Sequence, residues 1–309
     1  MTRIDVALCV DREFVMPLAV ALASLDRVAG DDDVVVHVLH PGLPPEVQAR
    51  VVAPLERLTV VWLVVDEATV ADARPSVFLT SASVYRLLLA DLLPAQIERV
   101  IYLDADTLVL RSLAGLAELE FSGGDIVAAV REAATPWAAG PLGPDWRSLG
   151  LDPGSPYFNS GVLLIDLAAW RREGIGGACL SLLRGGQLRW GDQDALNTVL
   201  ERRWMQLPRR WNVQSVDADG TGVSWGLWPE DVADAVAMPH VIHYTGRIKP
   251  WAPDGPEYGR ETWYETLDRT SWRGWRPRAP HSSPVLHTAV DWGRAAKRAL
   301  LDRPQKLPR

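Results

Sequence analysis

Hydrophobic positions in this chain fall into two rhythms. Ile4 to Val10, Val34 to Leu39, Thr59 to Val65, Arg99 to Leu103 and Ile126 to Val130 are short, predominantly apolar runs. Runs of that length and make-up read as strands, the first of them a buried one. Between the first two, Phe14 to Val28 carries Val15, Leu18, Ala19, Leu22 and Leu25 at helical spacing. Pro44-Pro45-Glu46 opens a helix expected to reach about Leu58, because Pro is favoured in a first turn. Ser81 to Leu93 reads as a third helix, stopped by Pro94. The resulting β-α-β-α-β order predicts an α/β fold with a mostly parallel sheet and helices on both faces.

The second half is less regular. Pro136 to Pro156 is rich in Gly and Pro and reads as loop. Gly161 to Leu167 is a further strand, followed by helices near Leu167–Glu173, Ala178–Arg184 and Asp192–Arg203. Trp-, Pro- and Gly-rich chain then leads to a last short strand, Val241-Ile242-His243. From His287 to Leu301 the pattern is helical again, with Trp292, Ala296, Ala299 and Leu300 on one face and Arg294, Lys297 and Arg298 on another. The expected division is one α/β domain over residues 1–265 and a basic tail over 266–309.

Composition narrows the classes. With 309 residues and 48% hydrophobic content, the chain can bury a large core. A net charge of −7 argues against a nucleic-acid footprint over the whole protein. The charge is uneven: Asp268 to Arg309 holds ten Lys/Arg and three Asp/Glu. A basic amphipathic tail on an acidic protein suits a membrane surface, and equally suits a helix docked on its own domain with a solvated face. Cys9 and Cys179 alone make neither a metal knuckle nor a disulfide framework. No apolar run approaches the roughly 20 residues that span a bilayer, and the N-terminus enters a strand at once. The expected location is the cytoplasm, with peripheral contact at the inner face of the membrane through the tail.

The chemistry concentrates at Val100-Ile101-Tyr102-Leu103-Asp104-Ala105-Asp106-Thr107. An apolar run drives into two carboxylates spaced i, i+2, which on a strand would share one side roughly 7 Å apart. Such a pair repels itself unless a cation intervenes, which suggests a divalent-metal site at the carboxyl end of a strand. An acidic turn, with Asp106 capping the next segment, is the competing account. Of the 14 Trp, all but Trp62 lie at or beyond Trp137, and Trp serves both sugar stacking and ordinary cores.

Further segments join this pair: Val10-Asp11 after the first strand, Tyr85-Arg86-Leu87, Pro156-Tyr157-Phe158-Asn159-Ser160-Gly161-Val162, Gly191-Asp192-Gln193-Asp194-Ala195-Leu196-Asn197, and His243-Tyr244-Thr245-Gly246-Arg247-Ile248-Lys249-Pro250-Trp251. In this order, from about Ile4 to Trp251, the set resembles glycosyltransferase family eight. The resemblance implies a GT-A nucleotide-diphospho-sugar transferase fold. It implies transfer of a hexose from a UDP-sugar with retention, assisted by Mn²⁺ or Mg²⁺. It assigns Asp104, Asp106 and His243 as metal ligands, the imidazole suiting Mn²⁺ more than Mg²⁺. Gly246 and Lys249 are assigned to the diphosphate, Asp11 to uracil, and Arg86 and Ala105 to the donor. Asn159, Asp192 and Gln193 are assigned to the reacting centre, and Asp192 fits a helix N-cap equally well. Two positions depart from the family pattern. Glu13 stands where an Asn often contacts UDP, and Arg131-Glu132 occupies the stretch that often holds a carboxylate near the donor sugar, so Glu132 is placed there.

Other classes compete. Asp104 and Asp106 also fit a haloacid-dehalogenase phosphatase signature, yet that chemistry needs a Lys between Asp106 and Asp192, and the chain has none there. A catalytically inactive nucleotide-sugar-binding partner is the non-enzyme alternative. It has no need of three metal ligands.

Overall fold

The structure, a computed structural model, describes residues 3–73, 81–140, 142–186, 188–218 and 229–277. The tail helix expected at His287–Leu301 lies outside the described residues. Ten strands are described: β1 (Arg3–Cys9), β2 (Asp33–His40), β3 (Thr59–Val64), β4 (Arg99–Asp104), β5 (Thr107–Val109), β6 (Val127–Arg131), β7 (Phe158–Asp166), β8 (Trp204–Gln206), β9 (Val213–Gln214) and β10 (Val241–His243). Seven form one sheet in the order β3-β2-β1-β4-β7-β6-β8. The pairs β1–β2, β2–β3, β1–β4 and β6–β8 are parallel. β7 runs antiparallel to both β4 and β6, so the sheet is mostly parallel, as expected. A small second sheet, β5-β10-β9, stands beside it.

The apolar runs are continuous because the sheet is covered on both sides. Along β1, Ile4, Val6 and Leu8 enter one core while Ala7 and Cys9 enter the other. Along β4, Ile101 and Leu103 face the first and Val100 and Tyr102 the second. The first core is sealed by the helix Val15–Val28 through Leu18, Leu22 and Leu25. The second is sealed by Tyr85, Leu87 and Leu89 and by Trp170, Ile175, Leu183 and Leu196 from the later helices. Buried area at roughly 25 cal/mol per Å² is what holds such layers together.

Several expected boundaries move. The helix opened by Pro45 ends at Val52, not Leu58, because Pro54 cannot continue it. The backbone N–H groups of Glu56, Arg57 and Leu58 turn instead onto the Asp26 carboxylate. Ser81–Leu93 is no single helix: a 3₁₀ turn at Arg86–Leu88 separates two short helical pieces. The helix from Asp192 stops at Val199. Packing continues past residue 265, with Leu267 and Thr270 buried and Trp272 against the core. Among the described residues, no helix is long and apolar enough to cross a membrane.

β1 leads to β2 on one side while β4 lies on the other, so the chain reverses its winding between β1 and β4. The crevice beyond the carboxyl ends of those two strands is where open α/β sheets bind ligands.

Candidate active site

Asp104 is the last residue of β4, and Ala105 and Asp106 form a turn into β5. The same-side argument for a strand therefore does not apply to Asp106. The turn is what brings its carboxylate back. It is held by the Thr107 hydroxyl donating to the Asp104 carbonyl at 2.8 Å and by Tyr244 N–H donating to the Asp106 carbonyl at 3.1 Å. β10 pairs with β5 so that His243 lies opposite Thr107. Two segments separated by more than a hundred residues thus present their side chains to one point.

His243 Nε2 stands 3.5 Å from Asp104 Oδ2 and 3.4 Å from Asp106 Oδ1. One donor atom from each of the three lies within 4.8 Å of the others. Cis ligands of an octahedral ion with bonds near 2.1 Å stand about 3 Å apart, so this donor set fits a divalent cation. Gly161 on β7 makes room for it. A methyl group there would run into the His243 imidazole and the Asp104 carboxylate.

Each carboxylate also has a cationic neighbour. Arg86, 5% exposed at the 3₁₀ break, donates from Nη2 to Asp104 Oδ1 at 2.8 Å and from Nη1 to the Ser160 carbonyl at 2.6 Å. Its Nε lies 3.1 Å from Asp192 Oδ2, and its guanidinium covers the Tyr102 ring at 4.5 Å. Tyr102 donates to the same Asp104 oxygen at 2.7 Å. Arg86 is therefore a buried clamp between two acids, not a surface ion pair. Lys249 donates to Asp106 Oδ2 and to the Tyr244 carbonyl. Gly246 has φ +83°, a backbone that side chains resist, and it turns the loop that carries Lys249.

Charge sets the protonation states. Burial would raise the Asp106 carboxyl, but Lys249 and His243 hold it well below the usual carboxylate range. Asp192 is pushed up to about 6 by burial, against the pull of Arg86. Asp192 is not the N-cap: Gly191 holds that position and Asp192 is the first helical residue.

Behind the Asp104–Asp106–His243 cluster lies a wall of amides. Asn159 Nδ2 donates to Glu132 Oε2 at 2.8 Å, and Gln193 Nε2 reaches the same oxygen at 3.3 Å. Gln193 Oε1 accepts the Ser160 N–H at 3.0 Å. Glu132, Asn159 and Gln193 are thus brought together, while Asp192 faces Arg86. Asp11 spends one oxygen on the N–H groups of Glu13 and Phe14, closing its own turn, and Glu13 is exposed at that rim. Sequence reasoning gave no role to Gly161, Tyr102, Asn212 or Gln214. Gln214 donates to the Arg131 carbonyl and accepts the Ala133 N–H, both at 2.9 Å, which fixes the segment carrying Glu132.

A mostly parallel sheet whose winding reverses between β1 and β4, with a carboxylate pair at the end of β4 and an imidazole from β10 beside it, fits the GT-A glycosyltransferase fold. The model of glycosyl transferase family 8 matches residues 5–255, and the chain belongs to that family of glycosyltransferases. It is 27% identical to general stress protein A of Bacillus subtilis, covering 85% of this chain and 93% of that one. It is 26% identical to lipopolysaccharide 1,3-galactosyltransferase of Salmonella typhimurium, covering 81% and 73%. The solved galactosyltransferase LgtC, in complex with donor and acceptor sugar analogues, superposes with a TM-score of 0.75 at 26% identity, covering 89% of this chain and 98% of that one. Neither the phosphatase nor the inactive-partner alternative is favoured by these likenesses.

Proposed function

We propose that the protein is a retaining hexosyltransferase that moves galactose or glucose from a UDP-sugar to a hydroxyl of a glycan, lipid-linked or small-molecule acceptor, assisted by Mn²⁺, with Mg²⁺ as the alternative ion. The observation that carries this is the convergence of Asp104, Asp106 and His243 on one point within a family of glycosyltransferases. Those three residues would hold the ion, which supplies Lewis-acid stabilisation of a departing diphosphate.

The other roles belong to the chain itself. Lys249, turned inward by Gly246, adds a charge for the phosphates. Asp11 and Glu13, just past the end of β1, line the path for the uridine, while the Ala105 side chain is turned into the core and leaves only its backbone to meet the donor. Glu132, gripped by Asn159 and Gln193, stands ready to accept hydroxyl hydrogens of the donor sugar. Arg86 positions Asp104 and Asp192. Gln193 spends its carbonyl on Ser160 N–H, and a neutral amide is in any case a poor nucleophile. Asp192 is 2% exposed and turned to Arg86, which supports a front-face route over a covalent one. In that route the departing phosphate oxygen takes the proton of the acceptor hydroxyl, and no protein base is needed. The loop at Pro136–Pro156 is the proposed acceptor wall. It is tied to the Asp192 segment by Trp190 Nε1–H donating to the Leu142 carbonyl at 2.7 Å. Trp137 on it is 38% exposed and backed by the Arg131 guanidinium. The Trp-rich stretch from Trp204 to Trp228 is the proposed lid; its Trp204 and Trp211 are packed against the two cores, and Trp225 and Trp228 lie outside the described residues.

A panel of UDP-sugars, scored by UDP release with and without Mn²⁺, tests the proposal. Turnover of UDP-galactose or UDP-glucose that requires the ion, and falls about a hundredfold or more in Asp106→Asn with its circular dichroism unchanged, is expected. Full activity in Asp106→Asn, or phosphate release from p-nitrophenyl phosphate in place of UDP release, would overturn it.

A further inference from the structure

The proposed metal role of His243 requires one particular tautomer: the proton must sit on Nδ1 so that Nε2 offers a lone pair to the ion. We infer that Asn212 is the positioning residue that sets this tautomer, through a relay of amides whose polarity is fixed at both ends. The inference rests on the metal reading of His243.

The relay begins at two groups whose direction is not negotiable. The backbone N–H of Gly161 only donates, and it donates to Asn159 Oδ1 at 3.0 Å. The Glu132 carboxylate accepts, and it takes the Asn159 Nδ2 hydrogen at 2.8 Å. Asn159 is therefore oriented, with its oxygen towards Asn212. Asn212 Nδ2 donates to that oxygen at 2.8 Å. Its own oxygen is then turned to His243 Nδ1, 3.1 Å away. A carbonyl oxygen there requires Nδ1 to carry the hydrogen. Flipping either amide would set oxygen against oxygen or donor against donor in a buried place, leaving those groups unsatisfied.

Burial makes the relay decisive. Asn212 is 0% exposed, so water cannot substitute for either partner. Its backbone is held as well, because Asn212 N–H donates to the Arg209 carbonyl at 2.9 Å and Val213 enters β9 directly beside β10. The same oxygen of Asn159 that orients Asn212 belongs to the residue holding Glu132. The ion site and the proposed donor-sugar carboxylate are thus aligned by one chain of four side chains. Partners of this kind on metal-binding histidines are worth about ten- to a hundredfold in metal affinity.

The test measures the tautomer and the affinity separately. Protein labelled with ¹⁵N-histidine is studied by long-range ¹H–¹⁵N correlation, saturated with the diamagnetic ion Mg²⁺ so that the carboxylates facing Nε2 are engaged by the cation, and His243 is assigned by its loss in His243→Gln. A protonated Nδ1 with no hydrogen on Nε2 is expected, and a protonated Nε2 would overturn the inference. Asn212→Leu removes the acceptor and should weaken Mn²⁺ binding by about ten- to a hundredfold. Asn212→Asp keeps an acceptor at the same place and should retain the Nδ1–H tautomer. Unchanged Mn²⁺ affinity in Asn212→Leu, or a switched tautomer in Asn212→Asp, would overturn it. Should Asn212→Leu not fold, the wild-type spectrum and the Asp variant still decide. If the wild type binds no Mn²⁺, the metal reading itself falls, an outcome distinct from a wild type that binds Mn²⁺ with the wrong tautomer.

Discussion

Position 161 has room for a hydrogen and nothing more, because the His243 ring and the Asp104 carboxylate occupy the space of a methyl group. Gly161→Ala should therefore weaken Mn²⁺ binding by about tenfold or more, some 1.4 kcal/mol, in a calorimetric titration; unchanged affinity would remove His243 from the site. Asp192 makes a second prediction through linkage. Its carboxyl is raised to about 6 in the folded protein against roughly 3.9 when unfolded, so between those values the native state binds more protons. Its stabilising contribution is present at low pH and is lost as pH rises from about 4 through about 6. The metal-free wild type should lose about 2–3 kcal/mol relative to Asp192→Asn between about pH 4 and 7, measured by urea unfolding. A constant difference between the two proteins would place Asp192 in a wetter environment. The clustering of Asp104, Asp106 and His243, with Lys249 beside Asp106, was legible in the sequence because these residues lie in short ordered motifs. Lys249 carried a further signal that went unused: it is the sole lysine before Lys297 in a chain that otherwise uses arginine. A slim ammonium reaching both Asp106 and a backbone carbonyl is not replaceable by a planar fork. A lone Gly inside the apolar strand β7 likewise announced a close approach.

At the scale of elements, the helix Asp192–Val199 is registered against β7 by two amides, Gln193 on Ser160 and Asn197 on Phe158. Asn197 accepts the Phe158 N–H at 2.8 Å and donates to the Phe158 carbonyl at 2.9 Å, acting as a strand partner from a helix. This places Gln193, one turn earlier, against Ser160. Asn197→Leu strands both buried backbone groups and should cost about 2–4 kcal/mol in denaturant unfolding, with a loss under about 1 kcal/mol contradicting the role. The long apolar runs made β1, β2, β4 and β6 legible, since strands covered on both faces need little else, and β3 was legible as an apolar run although it is the half-exposed edge of the sheet. β5, β8 and β9 span only two or three residues each and carry no periodicity to detect. β9 owes its existence to tertiary pairing with β10, and with it Asn212 and Gln214 stayed invisible. The break at Arg86 was hidden too, because Ser81 to Leu93 has good helical spacing. The buried ion pairs of Arg86 with Asp104 and Asp192 accompany the departure from it, as mid-helix 3₁₀ turns often do at functional sites.

Over the whole molecule, the acidic body and the basic tail ask for separate tests. The proposed contact of the basic tail with an anionic membrane is tested by deleting the chain after Pro284: weaker binding to anionic vesicles, with transfer to a soluble acceptor kept within about twofold, would support it, and unchanged vesicle binding would contradict it. Failure of the truncated protein to fold would make the tail structural. Within the body, Asp104 and Asp192 pair with Arg86 and Asp106 with Lys249, while Glu132 is held by the amides of Asn159 and Gln193, so carboxylates outnumber the cations these bonds bring to them. A partly buried surplus of negative charge is tolerable when a divalent cation shares it. The most direct measurement is the Mn²⁺ affinity of the wild type and of Asp104→Asn, Asp106→Asn and His243→Gln, followed by electron paramagnetic resonance in the presence of UDP. One ion per chain in the wild type, weakened about tenfold or more by each substitution, is predicted. Undiminished binding in any one of the three variants would contradict a single ion shared by all three side chains.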